Sequence, residues 1–281
     1  MWGGPQIARL PDGRLHLQHG PIDLIIEAWG AASEIAAAYR QAADRFGDIL
    51  ETLVRELAVL RAPVGAVLPA LSGPVARRMA DAVWPYRDVY ITPMAAVAGA
   101  VADEMLAALV KGRGLAKAYV NNGGDIAFHL APGESLRTAV VANLEVPARD
   151  AVATLTADLP VRGLATSGWR GRSFSLGIAD AATVFAASAA AADAAATIVG
   201  NAIMVDHPAI DRRPASSLRD DTDLGDLLVT TAVGPLPQEA ISAALDAGAE
   251  AARRLQASGL IMGAALSLQG AWRLVMPSLP R

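Results

Sequence analysis

Three short stretches of the chain carry residue types that can do chemistry. The first reads Tyr-Val-Asn-Asn-Gly-Gly-Asp-Ile over Tyr119 to Ile126. Consecutive glycines let a phosphate or other ligand approach the backbone, and their N–H groups can form an anion nest. Asp125 can then orient a ligand or hold a water. The same residues also suit a plain hairpin, because Asn and Gly tolerate the positive φ of tight turns.

The second stretch is GLATSGWRGRSFSLG, Gly163 to Gly177. Thr166, Ser167 and Gly168 offer hydroxyls and free backbone, and Arg170 and Arg172 follow; these groups suit a phosphate. The alternative is a solvated turn with surface arginines. The third is AADAAATIVGN, Ala191 to Asn201. Asp193 and Thr197 are four apart, so they share one face of a helix. A carboxylate and a hydroxyl are hard oxygen ligands, suited to Mg²⁺ completed by waters and substrate phosphates. A lone acid there can instead be structural, bonded to nearby backbone N–H groups.

Other polar residues point nowhere in particular. His16 and His19 are three apart on an expected strand, so they face opposite sides and do not share a metal. His207 falls in a polar loop. Asp220 to Asp226 lacks the glycine position and distal Glu of a calcium loop. A P-loop, a dinucleotide fingerprint and a Ser-His-Asp elbow are absent from the sequence.

The elements that must position these stretches follow from periodicity and turn residues. Arg14–Leu17 and Ile22–Ala28 are expected strands around Gly20-Pro21. Residues 31–61 carry helical spacing with a break at Gly47. Ser72-Gly73-Pro74 opens a helix through Val83. Thr92-Pro93 opens another, whose first half is almost all Ala, Gly and Val and admits close approach of other backbone. Leu115–Val120 and Ile126–Leu130 pair around Asn-Asn-Gly-Gly. Leu136–Asn143, Ala153–Leu159, Gly163–Ala165 and Ala181–Ala187 are further strands. Ser188 caps a helix through Met204. A long polar loop over 206–226 precedes a strand at Leu227–Val233, a helix at Pro237–Ala257 and a closing hairpin with its turn at Gln269-Gly270. Interleaved helices and hairpins make the class α+β with mixed or antiparallel sheets, in one domain over residues 1–281.

The totals narrow the function classes. The chain has 281 residues, 53% of them hydrophobic, and only 5% aromatic, so its core is built mainly from Ala, Val, Leu and Ile. A net charge of −4 argues against nonspecific nucleic-acid binding. With no cysteine, thiolate metal sites and a cysteine nucleophile are excluded. The start is not read as a signal peptide. The run Ala181–Val205 is long enough to span a membrane, but a central Asp193 costs about 2.5–3.5 kcal/mol there. A buried strand and helix of a cytoplasmic protein is the expectation, with no membrane or nucleic-acid partner; a homo-oligomer is left open.

In this order, YVNNGGDIA, GLATSG and ASAAAADAAAT resemble the motifs of the ApbE superfamily, best known for FAD:protein FMN transferases. PMAAVAGA near Met94 and DTDLGD near Asp223 look like an ApbE-like branch of cytoplasmic proteins. The resemblance implies an ApbE-like fold and a Mg²⁺-binding pair at Asp193 and Thr197. It also implies a flavin-nucleotide site at Asn122, Gly123, Gly124, Asp125, Thr166, Ser167 and Gly168. In the transferases the metal polarises the FAD pyrophosphate, a protein hydroxyl attacks, and AMP leaves. This chain departs from that pattern. The family's Met-Gly-Thr segment has no match, the lysine of its Gly-Gly-x-Ala-Lys-Gly helix start is replaced within MAAVAGA, and its histidine after Thr-Ser-Gly is missing, although Asp180 aligns with a neighbouring acid. The expected ligand is therefore Mg²⁺ with a small phosphorylated molecule, FAD or another nucleotide-bearing cofactor. Transfer of FMN to protein is not expected. A non-catalytic cofactor-binding protein is the alternative, as is a role in methanopterin-linked one-carbon metabolism.

Overall fold

The computed structural model describes residues 3–140 and 151–276. In chain order it begins with β1 (Gln6–Arg9), β2 (Leu15–His19) and β3 (Ile22–Gly30). The helices α1 (Ala32–Phe46), α2 (Ile49–Arg55), α3 (Leu57–Leu60), α4 (Pro74–Val83) and α5 (Val97–Val110) follow. Then come β4 (Leu115–Asn122), β5 (Asp125–Leu130), β6 (Ser135–Val140), β7 (Ala151–Thr156), β8 (Gly163–Ser167) and β9 (Ala181–Ala186). The remainder is α6 (Ala189–Ala202), β10 (Ile210–Pro214), β11 (Leu228–Val233), α7 (Gln238–Ala257), β12 (Gly263–Leu268) and β13 (Ala271–Val275). The α+β class with antiparallel sheets is therefore present in the structure.

The chain divides into two compact units. The first contains Met1–Leu136, Thr154–Leu164 and Ala187–Asp193; the second contains the rest, so β8 and α6 each run from one unit into the other. In the first unit β1 to β5 pair antiparallel in sequence order, and β5 continues onto the start of β8 through Ile126↔Leu164. Alternation explains the buried face. β3 reads buried and half-buried by turns, and Leu24 and Ile26 point inward with Leu17 and Val120. Against them pack Ala38, Ala42 and Phe46 of α1 and Val101, Met105 and Leu109 of α5. In the second unit β9, β12 and β13 pair antiparallel. All of β12 is buried, and α7 presents Ile241, Leu245 and Ala249 on its buried face.

Most expected boundaries hold. Gly47 separates α1 from α2, Pro74 opens α4 at its first position, and the β4–β5 and β12–β13 hairpins turn where expected. The run Ala181–Val205 is indeed a strand and a helix. Among the described residues, Pro93–Val110 is the stretch long and apolar enough to cross a membrane, and Val101, Ala102, Met105 and Leu109 within it are core residues of the first unit. Two strands escaped the pattern. β1 is exposed throughout, so it has no apolar alternation. β10 lies inside the expected polar loop and pairs with β11 despite its sequence Ile-Asp-Arg-Arg-Pro. An exposed edge strand needs backbone pairing, not burial, and Pro is tolerated at its end. The strand expected over Leu136–Asn143 is seen as far as Val140, and its remainder lies outside the described residues.

Candidate functional site

The β4–β5 turn is a two-residue hairpin with Asn122 opposite Asp125. Gly123 and Gly124 have φ of 67° and 116°, left-handed values that favour glycine. A side chain at either position would meet open space, so conformation and not crowding calls for glycine there. The Gly124 N–H donates to Asn121 Oδ1 at 2.8 Å and closes the turn. Buried Asn122 reaches the other way: its Nδ2 donates to the Ala98 carbonyl at 3.1 Å and fixes the hairpin to the start of α5.

That helix start has no side-chain cap of its own, because Ala96 occupies the N-cap position. Its orphan N–H groups are taken by a different helix. Asp193 Oδ2 accepts from the Gly99 N–H at 3.0 Å, and the Ala98 N–H also bonds to this carboxylate. Asp193 is partly exposed to solvent, yet burial of its carboxylate pushes its pKa well above the ordinary 3.8. The Asp125 charge raises it further and Asp103 adds to the effect, while the two N–H bonds oppose it. The backbone donors therefore do not offset the loss of water and the company of like charges.

Asp103, one and a half turns into α5, does the reverse service. It accepts from the Ala189 and Ala190 N–H groups at 2.9 Å each. Ser188, the expected cap, takes the Ala191 N–H at 3.2 Å. Burial raises the pKa of Asp103 in spite of these bonds. Gly99 lies where the two helix starts touch: a Cβ there would collide with the carbonyl of Ala189. The alanine- and glycine-rich opening of α5 thus does admit close backbone, as its composition suggests. Asp103 and Gly99 were not among the residues singled out from sequence. The available signal was an acid within the apolar run AVADEM and a glycine amid alanines.

In the second unit, Thr166 and Thr183 share a hydroxyl–hydroxyl bond of 2.8 Å. A side chain at Gly200 of α6 would rest against Ser167. Gly168 cannot carry a side chain, because its Cβ would strike the Asp180 carbonyl. The Trp169 backbone N–H donates to the Ala179 carbonyl at 3.0 Å, and the Arg170 guanidinium lies 4.8 Å from the Trp169 ring centre. Thr197 follows Asp193 one turn along α6 and is half-buried. Asp180 accepts at 2.6 Å from the N–H of Gln269, a non-glycine residue at φ 46° in the β12–β13 turn. The structure therefore draws Asn122, Asp125 and Asp193 toward one helix start in the first unit, and places Thr166, Ser167, Gly168 and Thr197 in the second.

The remaining polar candidates have local duties. His16 pairs with Asp23 at 2.8 Å across β2–β3, while buried His19 faces the other side. His207 Nδ1 accepts from the Ala209 N–H. An open hollow of about 880 Å³ lies among α1, α2 and the start of α4, but none of the candidate residues lines it. There Glu56 accepts from the Ser72 and Gly73 N–H groups.

The family model described as "AbpE bacteria" matches residues 7–274. A UPF0280 protein of Methanothrix thermoacetophila is 37% identical over 134 residues, covering 47% of this chain and 54% of that protein. A UPF0280 protein of Archaeoglobus fulgidus is 38% identical over 133 residues, covering 47% and 51%. The chain thus spans about half the length of the curated relatives it matches. Among solved structures, the apo flavinyl transferase ApbE of Pseudomonas stutzeri aligns with 99% of this chain and 95% of its own, at 12% identity and a TM-score of 0.41. A mutant flavin transferase ApbE of Vibrio cholerae aligns at 11% identity and the same TM-score, 0.41. With its family model matched from residue 7 to residue 274, the chain belongs to the ApbE-like family described as AbpE bacteria.

Proposed function

We propose that the protein binds Mg²⁺ through Asp193 together with a phosphorylated ligand that carries a flavin or another nucleotide. One observation carries the reading. The Asp193 carboxylate is desolvated and flanked by the charges of Asp125 and Asp103, and no Lys or Arg is among the main influences on it. A proton relieves this arrangement in the cation-free protein, and a small hard cation would relieve it with the carboxylate kept ionised.

The donor set fits such a cation. Asp193 and Asp125 are carboxylates and Thr197 a hydroxyl, all hard oxygens. Among the described residues no three His, Cys, Asp or Glu side chains form a metal cluster. Mg²⁺ needs no such cluster, since one or two carboxylates suffice when waters and phosphates complete its shell. When bound, it would neutralise phosphoryl charge. The protein's own part is to hold Asp193 at the α5 start and to keep the space beside Gly123 and Gly124 clear of side chains, although the Gly124 N–H is itself taken by Asn121. Thr166, Ser167, Gly168 and Thr197 join this reading by family resemblance.

The same chemistry serves phosphoryl or FMN transfer. It equally serves a cytoplasmic protein that carries a cofactor without turnover. The helix start favours the second: Ala98 stands in the segment where the transferases carry a lysine, and its N–H is spent on Asp193. Release of AMP from FAD separates the two. The binding reading is tested by melting wild type, Asp193→Asn and Thr197→Val with and without Mg²⁺, each with ADP or FAD. The ligand-induced shift should vanish in the first variant and shrink in the second. Equal shifts in all three proteins would remove the metal from this site.

A further inference from the structure

The starts of α5 and α6 form a closed exchange. Asp193, from the second turn of α6, caps Gly99 and Ala98 at the start of α5. Asp103, from the second turn of α5, caps Ala189 and Ala190 at the start of α6. Gly99 permits the backbone contact between them. Each residue step along a helix is about 1.5 Å of rise and about 100° of rotation. Two bonds from one carboxylate to successive N–H groups therefore hold both the height and the rotation of the first turn of α6. Asp193 follows three residues after Ala190, so its direction is set by that anchorage.

We propose that Asp103 is a positioning residue: by holding the first turn of α6 it aims the Asp193 carboxylate at the start of α5, and so sets how well Asp193 takes a cation. Its second half rests on the Mg²⁺ reading above, while its first half does not. Ser188 meets only the Ala191 N–H, so the Ala189 and Ala190 N–H groups depend on a carboxylate reaching in from α5, and that dependence ties the first turn of α6 to the other helix. Outer residues that orient a ligand typically change metal affinity by about 10- to 100-fold when removed.

The test uses the full chain labelled with ¹⁵N, as wild type, Asp103→Ala, Asp103→Asn and Asp193→Asn. The amide resonances of Gly99, Ala189 and Ala190 are followed, and Mg²⁺ alone is titrated calorimetrically. Asp103→Ala should move Gly99 in the same direction as Asp193→Asn does, although Asp103 does not bond to Gly99. It should weaken Mg²⁺ binding by about 10-fold or more. Asp103→Asn keeps one acceptor, should do both by less, and stands in if the alanine variant does not fold. Movement of Ala189 and Ala190 with Gly99 unchanged would reduce Asp103 to a local cap and overturn the proposal. So would unaltered Mg²⁺ affinity in the variants of a wild type that binds the ion. Absence of Mg²⁺ binding by the wild type would sink the binding reading, and the Gly99 resonance would still decide the positioning role.

Discussion

Asp103 and Glu104 are neighbours on α5, and the protein treats their charges in opposite ways. Burial pushes both carboxyls upward. At Glu104 the guanidiniums of Arg45 and Arg78, at 2.8 and 3.2 Å, overcome that push and hold its pKa below the usual value. At Asp103 two backbone N–H groups and a more distant Arg78 charge do not, and its pKa ends above the usual value. Fixed cations complete a carboxylate; amide dipoles leave it short. Glu104 is accordingly a tie among α1, α4 and α5, whereas Asp103 and Asp193 stand on the side of the helix where negative charge is left over. A site that must accept a cation needs such a deficit.

The largest test strikes the contact that keeps the uncompensated side assembled. Gly99→Ala inserts a methyl against the Ala189 carbonyl, which belongs to backbone and cannot swing aside. Overpacking of this kind should cost about 3 kcal/mol. Urea denaturation of wild type and variant would measure it. A loss under about 0.5 kcal/mol would mean that the two helix starts separate freely, and the exchange of caps would lose its geometric basis.

Gly99 also shows what the sequence could and could not reveal. The hairpin at Gly123-Gly124 was legible because turn chemistry is local, and the inner faces of β3 and β4 because alternation is local. The opening of α5 was legible as a close-approach surface, but its partner was not, since α6 lies some ninety residues away in the chain. The motifs at Asp125 and Asp193 could be named from family resemblance. That Asp193 bonds to an N–H of α5, and that Asp103 returns the bond, depends on tertiary contact and has no local signature. The exposed strands β1 and β10 stayed hidden for a related reason: backbone pairing at a sheet edge leaves no mark in the side-chain pattern.

The comparison on α5 is sharpened by removing each charge in turn. Glu104→Gln removes the anion that Arg45 and Arg78 share, and Arg45 keeps Asp48. These side chains are only partly buried, so a loss of about 2 kcal/mol is expected, less than for a fully buried pair. The pH dependence should separate the two neighbours. Glu104 has a lowered folded pKa, so its contribution is present above the unfolded value of 4.5 and lost as pH falls through the folded one. Asp103 has a raised folded pKa, so its contribution is present below 3.8 and lost as pH rises through the folded value. Denaturation from about pH 3 to about pH 8 should show the advantage of wild type over Glu104→Gln growing with pH in the acid range. Its advantage over Asp103→Asn should shrink as pH rises. Parallel trends for both variants would break the contrast.

The smallest expected effect is at Asp125, which faces the deficit from the β4–β5 hairpin. Its charge is, after burial, the main influence raising Asp193. Asp125→Asn keeps the shape of the side chain and removes that charge. In chelator at neutral pH the variant should be at least as stable as wild type, with a gain below about 1 kcal/mol, because Asp125 is only half-buried and water screens part of its charge. The carboxyl titration of Asp193, followed by ¹³C resonance, should move down toward the ordinary range, since a like charge has gone. Mg²⁺ affinity should fall at the same time. The repulsion that burdens the cation-free protein is also the attraction that draws a cation in. A variant that loses stability in chelator while Asp193 titrates unchanged would show that Asp125 serves the hairpin alone, and the charge deficit would then belong to Asp103 and Asp193 without it.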